Sequence, residues 1–207
     1  MKKTSFQLAL GVMLILCLPS CFSSAGSKNT TVYTPRVSSA ATNTGTAVAW
    51  QIRIDVPHSS EFLDSTRIAV RRSDNTLQVF EAARWSDSVP DLLQSTLSQT
   101  FNDSGKITAV VGLDNNTSSD ALLLLDIRQF EAVYEDNDKR ASAVISVQAK
   151  IQSLKSNRVI ASKNFKVSIP AASNKIPDVM NAFDNSLQQA SQDILSWTLT
   201  ADVTAKK

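Results

Sequence analysis

Val48-Ala49-Trp50-Gln51-Ile52-Arg53-Ile54-Asp55-Val56 alternates large apolar side chains with small or polar ones, and the rest of the chain is best read from it. Successive side chains of an extended strand point to opposite faces, so this segment has one apolar face and one wet face. A period of two sustained from Val48 to Val56 excludes an amphipathic helix and calls for a sheet covered on one side.

The same period returns downstream. Pro57 ends the first strand; Arg67 to Arg72 supplies a second, and Ser73-Asp74-Asn75 turns the chain into Thr76 to Ala82 as a hairpin partner. Ile107 to Val111 is a short strand followed by a polar loop, Asn115 to Ser119. Leu122 to Tyr134 is a long apolar strand whose inward positions change parity between Leu125 and Ile127 on one side and Phe130 on the other, which predicts a bend or bulge. Ala141, Ala143, Ile145, Val147, Ala149 and Ile151 alternate with mainly polar residues, as do Val159, Ala161, Phe165, Val167 and Ile169, with Lys163 the exception. Three consecutive strands joined by short turns make an antiparallel meander.

Two segments change the period. Ser86-Asp87-Ser88 offers oxygens to the free amides of a helix start, Pro90 falls in the first turn, and Val89, Leu92, Leu93, Leu97 and Phe101 recur at three and four residues. Gly105 is suited to terminate that helix in a left-handed conformation. A second helix starts near Ser173-Asn174 with Pro177 in its first turn; Ile176, Met180, Phe183, Leu187, Ala190, Ile194 and Trp197 line one face. The expected fold is therefore α+β: a two-layer sandwich of a mainly antiparallel sheet with two helices on one face.

The N-terminus is of another kind. Lys2-Lys3 precedes an uncharged apolar run from Leu8 to Leu18, shorter than the roughly 20 residues a membrane-spanning helix needs. Cys21 follows the small Ser20, whereas Cys17 follows the bulky Leu16, so cleavage before Cys21 and diacylglyceryl modification of its sulfur are expected, as in a bacterial lipoprotein. More than one acyl chain, of the palmitate kind, would make a stable anchor. Phe22 takes the place of the Asp that retains lipoproteins at the inner membrane, which directs the protein to the outer membrane's periplasmic face. The domain reading is residues 1–20 as signal peptide, 21–46 as lipidated Cys21 and flexible tether, 47–200 as one folded domain and 201–207 as a disordered tail. Within the tether, Val32, Tyr33 and Val37 carry enough apolar surface for a short edge strand.

Composition excludes several classes of function. The 207 residues hold 21 Lys and Arg against 19 Asp and Glu. Removing residues 1–20 takes away Lys2, Lys3 and no acid, leaving 19 basic side chains against 19 acidic ones. A neutral mature chain gives no support to nucleic-acid binding by bulk charge. With Cys21 acylated and Cys17 removed, no thiol remains for a disulfide, a thiolate metal site or a nucleophile.

The search for chemistry finds little. His58, the one histidine, sits beside Pro57 in a turn, without the converging ligands zinc requires. No Gly-x-Ser-x-Gly elbow or glycine-rich phosphate loop occurs, and Asp136 and Asp138 read as turn residues rather than an acid/base pair. No catalytic residue, metal or cofactor is expected. Arg84-Trp85, between the hairpin and the first helix, has two readings: Trp85 packs ahead of the helix while Arg84 pairs or stacks, or both face a protein partner, since Trp and Arg are enriched at binding hot spots.

These residues, in this order, resemble a family. Pro57, Phe62-Leu63-Asp64, Ile68-Ala69-Val70-Arg71-Arg72-Ser73, Leu77, Arg84-Trp85, Pro90 and Leu93 are similar to the ABC-type transport auxiliary lipoproteins, the group that includes the PqiC-type proteins. Phe130-Glu131, the Ala141 strand, Phe165, Pro170-Ala171, Ala182-Phe183, Leu187 and Trp197 continue the likeness, which runs from about Trp50 to Trp197. Phe62 stands where Tyr is usual and Ser86 where Ala is usual. The resemblance implies a non-enzymatic outer-membrane lipoprotein working with an ABC permease, its ATPase and an MCE-domain protein in intermembrane lipid trafficking, docking that assembly and in some members forming homo-oligomeric rings. It carries no catalytic residues. A module that itself encloses a lipid, or a purely structural envelope lipoprotein, would share the same tether and fold.

Overall fold

The computed structural model describes residues 29–37, 45–112, 118–135 and 137–203. Along the chain come β1 (Thr31–Tyr33), β2 (Val48–Ile54), β3 (Arg67–Arg71), β4 (Leu77–Trp85), α1 (Val89–Ser104), β5 (Ile107–Val111), β6 (Ala121–Glu135), β7 (Arg140–Ser153), β8 (Arg158–Pro170) and α2 (Ile176–Thr198). The eight strands form one sheet, and the expected α+β arrangement holds.

β6 is the axis of that sheet. One of its edges is taken along its whole length by β7, antiparallel from Ala121↔Ser153 to Glu135↔Arg140, and β8 continues the meander beyond β7. The other edge is shared. Ala121–Leu123 pairs in parallel with Ile52–Ile54 of β2, and Glu131–Val133 pairs in parallel with Ala69–Arg71 of β3. Outside β2 lies β5, also parallel; outside β3 lies its antiparallel partner β4, and then β1, parallel to β4. The antiparallel meander is as the alternation predicts, but the first half of the chain joins it through parallel ladders. Alternation reports which face of a strand is covered, not which strand lies beside it.

The parity change in β6 has the expected cause. Arg128 is an extra, exposed residue between Ile127↔Val147 and Gln129↔Ser146, so Leu123, Leu125 and Ile127 before it and Phe130, Ala132 and Tyr134 after it are all buried. They meet Ala143, Ile145, Val147, Ala149 and Ile151 of β7 and Phe165 and Val167 of β8 in one core with both helices. Lys163, on the same face of β8, stays exposed with its ammonium 5.0 Å from the Phe165 ring.

α1 begins as its sequence foretells. Ser88 is the N-cap, its Oγ accepting from the Asp91 N–H at 3.4 Å, and Gly105 closes the helix at φ 60°. Leu93, Leu97 and Phe101 are fully buried, each worth about 1.5–3 kcal/mol on transfer from water. α2 starts at Ile176, two residues after Asn174, with no side-chain cap at Lys175. Asn174 is used elsewhere: its Oδ1 accepts from the Ala141 N–H at 3.1 Å while its Nδ2 donates to the Asp138 and Lys139 carbonyls at 3.1 and 3.2 Å. It ties the start of α2 to the β6–β7 turn. Ser173 instead hydrogen-bonds the Asp178 carboxylate in the first turn.

Residues 31–33 do form an edge strand, within the segment read from sequence as tether. Pairing of Thr31 with Ala83 and Tyr33 with Trp85, and a 2.8 Å bond from the Ser86 N–H to the Tyr33 carbonyl, fix it to β4. Because β1 runs parallel to β4, the chain enters it from the end of the sheet that carries the 73–76 turn, opposite the β7–β8 hairpin.

Candidate functional site

Cys21 and the apolar run before it lie outside the described residues. Asp136 does too; its neighbour Asp138 holds the turn, its carboxylate 2.8 Å from Arg72 and accepting from the Ser73 N–H at 3.0 Å. Arg84 and Trp85 close β4, so Trp85 is the last residue of a strand and not part of the helix start. Trp85 is 1 % exposed, edge-on to Phe130 at 5.8 Å and to Phe183 at 5.2 Å, while Phe130 and Phe183 stack at 5.5 Å. Such contacts add about 0.5–1.5 kcal/mol per pair beyond area burial. Buried among those rings, Trp85 serves the core and offers no face to a partner. Arg84 remains exposed on the sheet.

Over Trp85 lies a clip that the sequence did not reveal. The Arg36 N–H donates to Asp184 Oδ1 at 3.0 Å, its guanidinium Nε is 3.5 Å from Oδ2, and Nη2 reaches Asn181 Oδ1 at 3.4 Å. Burial pushes the Asp184 carboxyl above its ordinary range, and the Arg36 N–H and guanidinium pull the other way. Tyr33, Arg36, Trp85, Met180, Asn181 and Asp184 enclose a cavity of about 210 Å³ beneath the clip. Two residues 148 apart in sequence thus lash the incoming N-terminal segment to α2.

His58 is not as isolated as its sequence surroundings suggest. Residues 57 and 58 fill the edge of β6 between β2 and β3: the His58 N–H donates to the Leu125 carbonyl at 2.9 Å and the Ile127 N–H to the His58 carbonyl at 2.8 Å. That brings His58 Nδ1 to 3.3 Å from Asp126 Oδ1, with Arg128 Nε 3.6 Å from Oδ2. The adjoining depression of about 320 Å³ is lined by Asp55, Val56, His58, Leu124, Leu125, Asp126, Gln148 and Lys150. No Ser, Thr or Cys lines it. Among the described residues no group of three or more His, Cys, Asp and Glu could hold a metal, and no helix is long and apolar enough to cross a membrane.

The uncovered face of the sheet carries one further device. Glu131 of β6, 2 % exposed, accepts from Arg71 Nε at 2.8 Å and Nη2 at 3.0 Å, and from Gln129 Nε2 at 2.8 Å. The fork clamps the three-residue β3–β6 ladder, and its hydrogen bonds push the Arg71 guanidinium further above its already high value.

The crystal structure of XCC0632 from Xanthomonas campestris is similar to this chain with a TM-score of 0.76 at 34 % identity, covering 82 % of this chain and 94 % of that one. The hypothetical protein CT253 from Chlamydia trachomatis shares the fold at a TM-score of 0.53 and 9 % identity, over 77 % of this chain and 100 % of that one. The uncharacterized protein bll6063 of Bradyrhizobium diazoefficiens is 27 % identical over 117 residues, 56 % of this chain, which spans 31 % of that relative's length. The two-layer domain is thus one that other bacterial proteins share. The model of the ABC-type transport auxiliary lipoprotein component family matches residues 33–195, and the chain belongs to that family.

Proposed function

We propose that this protein is a non-enzymatic accessory of an ABC/MCE-type intermembrane lipid transport system, held at the periplasmic face of the outer membrane by acylated Cys21 and docking the periplasm-spanning assembly there. The observation that carries this reading is the family match from Tyr33 to Leu195, which takes in seven whole strands, the last residue of β1, and all but the last turn of α2. The MCE-domain protein, the ABC permease and its ATPase are the partners, and copies of the chain assemble into a homo-oligomeric ring. Arg84 is the exposed member of the Arg84-Trp85 pair and a contact residue; Trp85 supports it from below.

The competing role, a module that encloses a lipid of its own, needs room between sheet and helices. That space holds Trp85, Phe101, Phe130, Phe183, Leu93 and Leu123, each less than 2 % exposed. Co-purification tests the proposal: tagged lipoprotein extracted in mild detergent should bring the MCE-domain protein with it, and Arg84→Ala should weaken that capture. Clean pull-downs from envelopes that contain the MCE-domain protein would sink the reading, and stoichiometric lipid in native mass spectra of the monomeric domain would replace it with the ligand-binding one.

A further inference from the structure

β8 has a partner on one side only. From Arg158 to Pro170 it pairs with β7, and among the described residues its other edge carries no strand. A 13-residue free edge offers a row of backbone donors and acceptors, which soluble proteins ordinarily guard against wrong pairing. Here the guard is charge of a single sign. From Arg140 through Pro177 the chain holds seven Lys and Arg and no Asp or Glu, although the mature protein is neutral. Arg158, Lys163 and Lys166 are all exposed on β8 itself.

The hairpin end of the same edge is apolar. Val159 is 53 % exposed and Ile160 39 %, and they border a depression of about 400 Å³ that Ala161, Ala201 and Asp202 help to line. Its position is opposite the end from which the chain enters β1. The hairpin is level with Ala121 of β6, whereas β1 reaches β6 through β4 and β3 near Glu131. Ten residues of strand separate those levels, about 30 Å.

A second copy of β8 is a poor occupant. Antiparallel self-pairing about Asn164, the strand's middle, makes Lys163 and the other copy's Lys163 diagonal neighbours on one face, within reach of two long side chains, and like charges so placed destabilise a ladder. We infer that the β8 edge is a docking site for an extended acidic segment of a partner protein, which adds to the sheet as a ninth strand, pairs its carboxylates with Lys163 and Lys166, and seats an aliphatic side chain beside Val159 and Ile160. Main-chain bonding supplies such a contact with affinity and the alternate side chains give it specificity. The inference rests on the reading of the protein as a docking accessory, and narrows it to one edge.

The probe is a 12-residue peptide in which Glu-Glu and Val-Val pairs alternate, so that carboxylates fall on both faces as Lys163 and Lys166 do, with its Lys-for-Glu counterpart as control, titrated into the protein beginning at residue 22. Fluorescence anisotropy should show saturable binding of the acidic peptide, about tenfold weaker in Lys163→Glu/Lys166→Glu and weakened further by salt. Backbone amides of β8 that do not bond β7 should gain protection from hydrogen exchange on binding. Equal binding of the two peptides, protection confined to another element, or a β8-to-β8 dimer in sedimentation would overturn the inference. So would co-sedimentation with phosphatidylglycerol vesicles that the acidic peptide fails to compete away. The two proposals separate in envelope pull-downs. If wild type and the charge-reversed variant both capture the MCE-domain protein, the edge inference fails alone; if neither does, the docking function fails.

Discussion

Replacing Glu131 with Ala tests the Arg71–Glu131 clamp on the β3–β6 ladder. The Glu131 side chain is 3 % exposed and Arg71 30 %. Deleting the carboxylate strands the Arg71 fork and one Gln129 N–H donor. Removing one member of a fully buried ion pair costs about 3–5 kcal/mol, and because Arg71 can partly rehydrate the expected loss is about 2–3 kcal/mol. For a domain of this size that is a fall in Tm of about 4–12 °C. Arg71→Met should cost more, about 3–4 kcal/mol, since it leaves a carboxylate buried without its counter-charge. The double variant should recover part of both losses, with a coupling of about 1.5–3 kcal/mol in urea unfolding. Three paired positions alone join β3 to β6, so hydrogen exchange in Glu131→Ala should speed up in β3 and β4 while β7 and β8 stay protected. A coupling below about 0.5 kcal/mol, or uniform exchange across the sheet, would refute the clamp.

Three other outcomes follow from the geometry. Trp85→Ala should destabilise the domain by about 3–5 kcal/mol, and Trp85→Phe by clearly less; a Trp85→Ala protein with unchanged urea midpoint but lost partner capture would show that the ring serves a surface after all. Asp184 has a folded-state pKa raised by burial, so its contribution to stability is full below its unfolded pKa and is lost as pH rises through the folded one. Arg36→Ala keeps the backbone N–H but removes the guanidinium, one of the groups pulling that pKa down, and should raise it further in a carboxyl NMR titration; a fall would contradict the assigned causes. Cys21→Ala should leave a folded protein that washes off membranes, and its retention after signal cleavage would discount the anchor.

Much of the sheet-and-helix pattern was legible because it is local. The alternation of β2, β7 and β8, the parity break in β6, and the Ser88 and Gly105 ends of α1 each depend on residues within a few positions of one another. Strand neighbours were not legible: β2 and β3 share one edge of β6 through parallel ladders whose partners lie 60 or more residues apart. The same distance hid the Arg36–Asp184 clip, the Asp126 beside His58 and the counter-ion of Glu131, a buried charge in a largely apolar strand. Ser173-Asn174 marked where the second helix begins, but the Ala141 N–H and the Asp138 and Lys139 carbonyls that claim the Asn174 side chain were not legible. Trp85 lay two residues after Ala83, on the period that buries it, but beside Arg84 it also had the composition of a contact.

The strand at Thr31–Tyr33 changes what the N-terminal segment can do. If Cys21 is anchored as proposed, the stretch between it and the strand paired with β4 is residues 22–30, which even fully extended spans at most about 30 Å, less than the span to Val48. A domain on so short a lead searches a thin shell above its own patch of membrane. On the proposed anchoring, a partner fixed in that shell would meet it at an effective concentration in the millimolar range, on the order expected for short linkers, so proximity would contribute to docking before a single side chain is in contact.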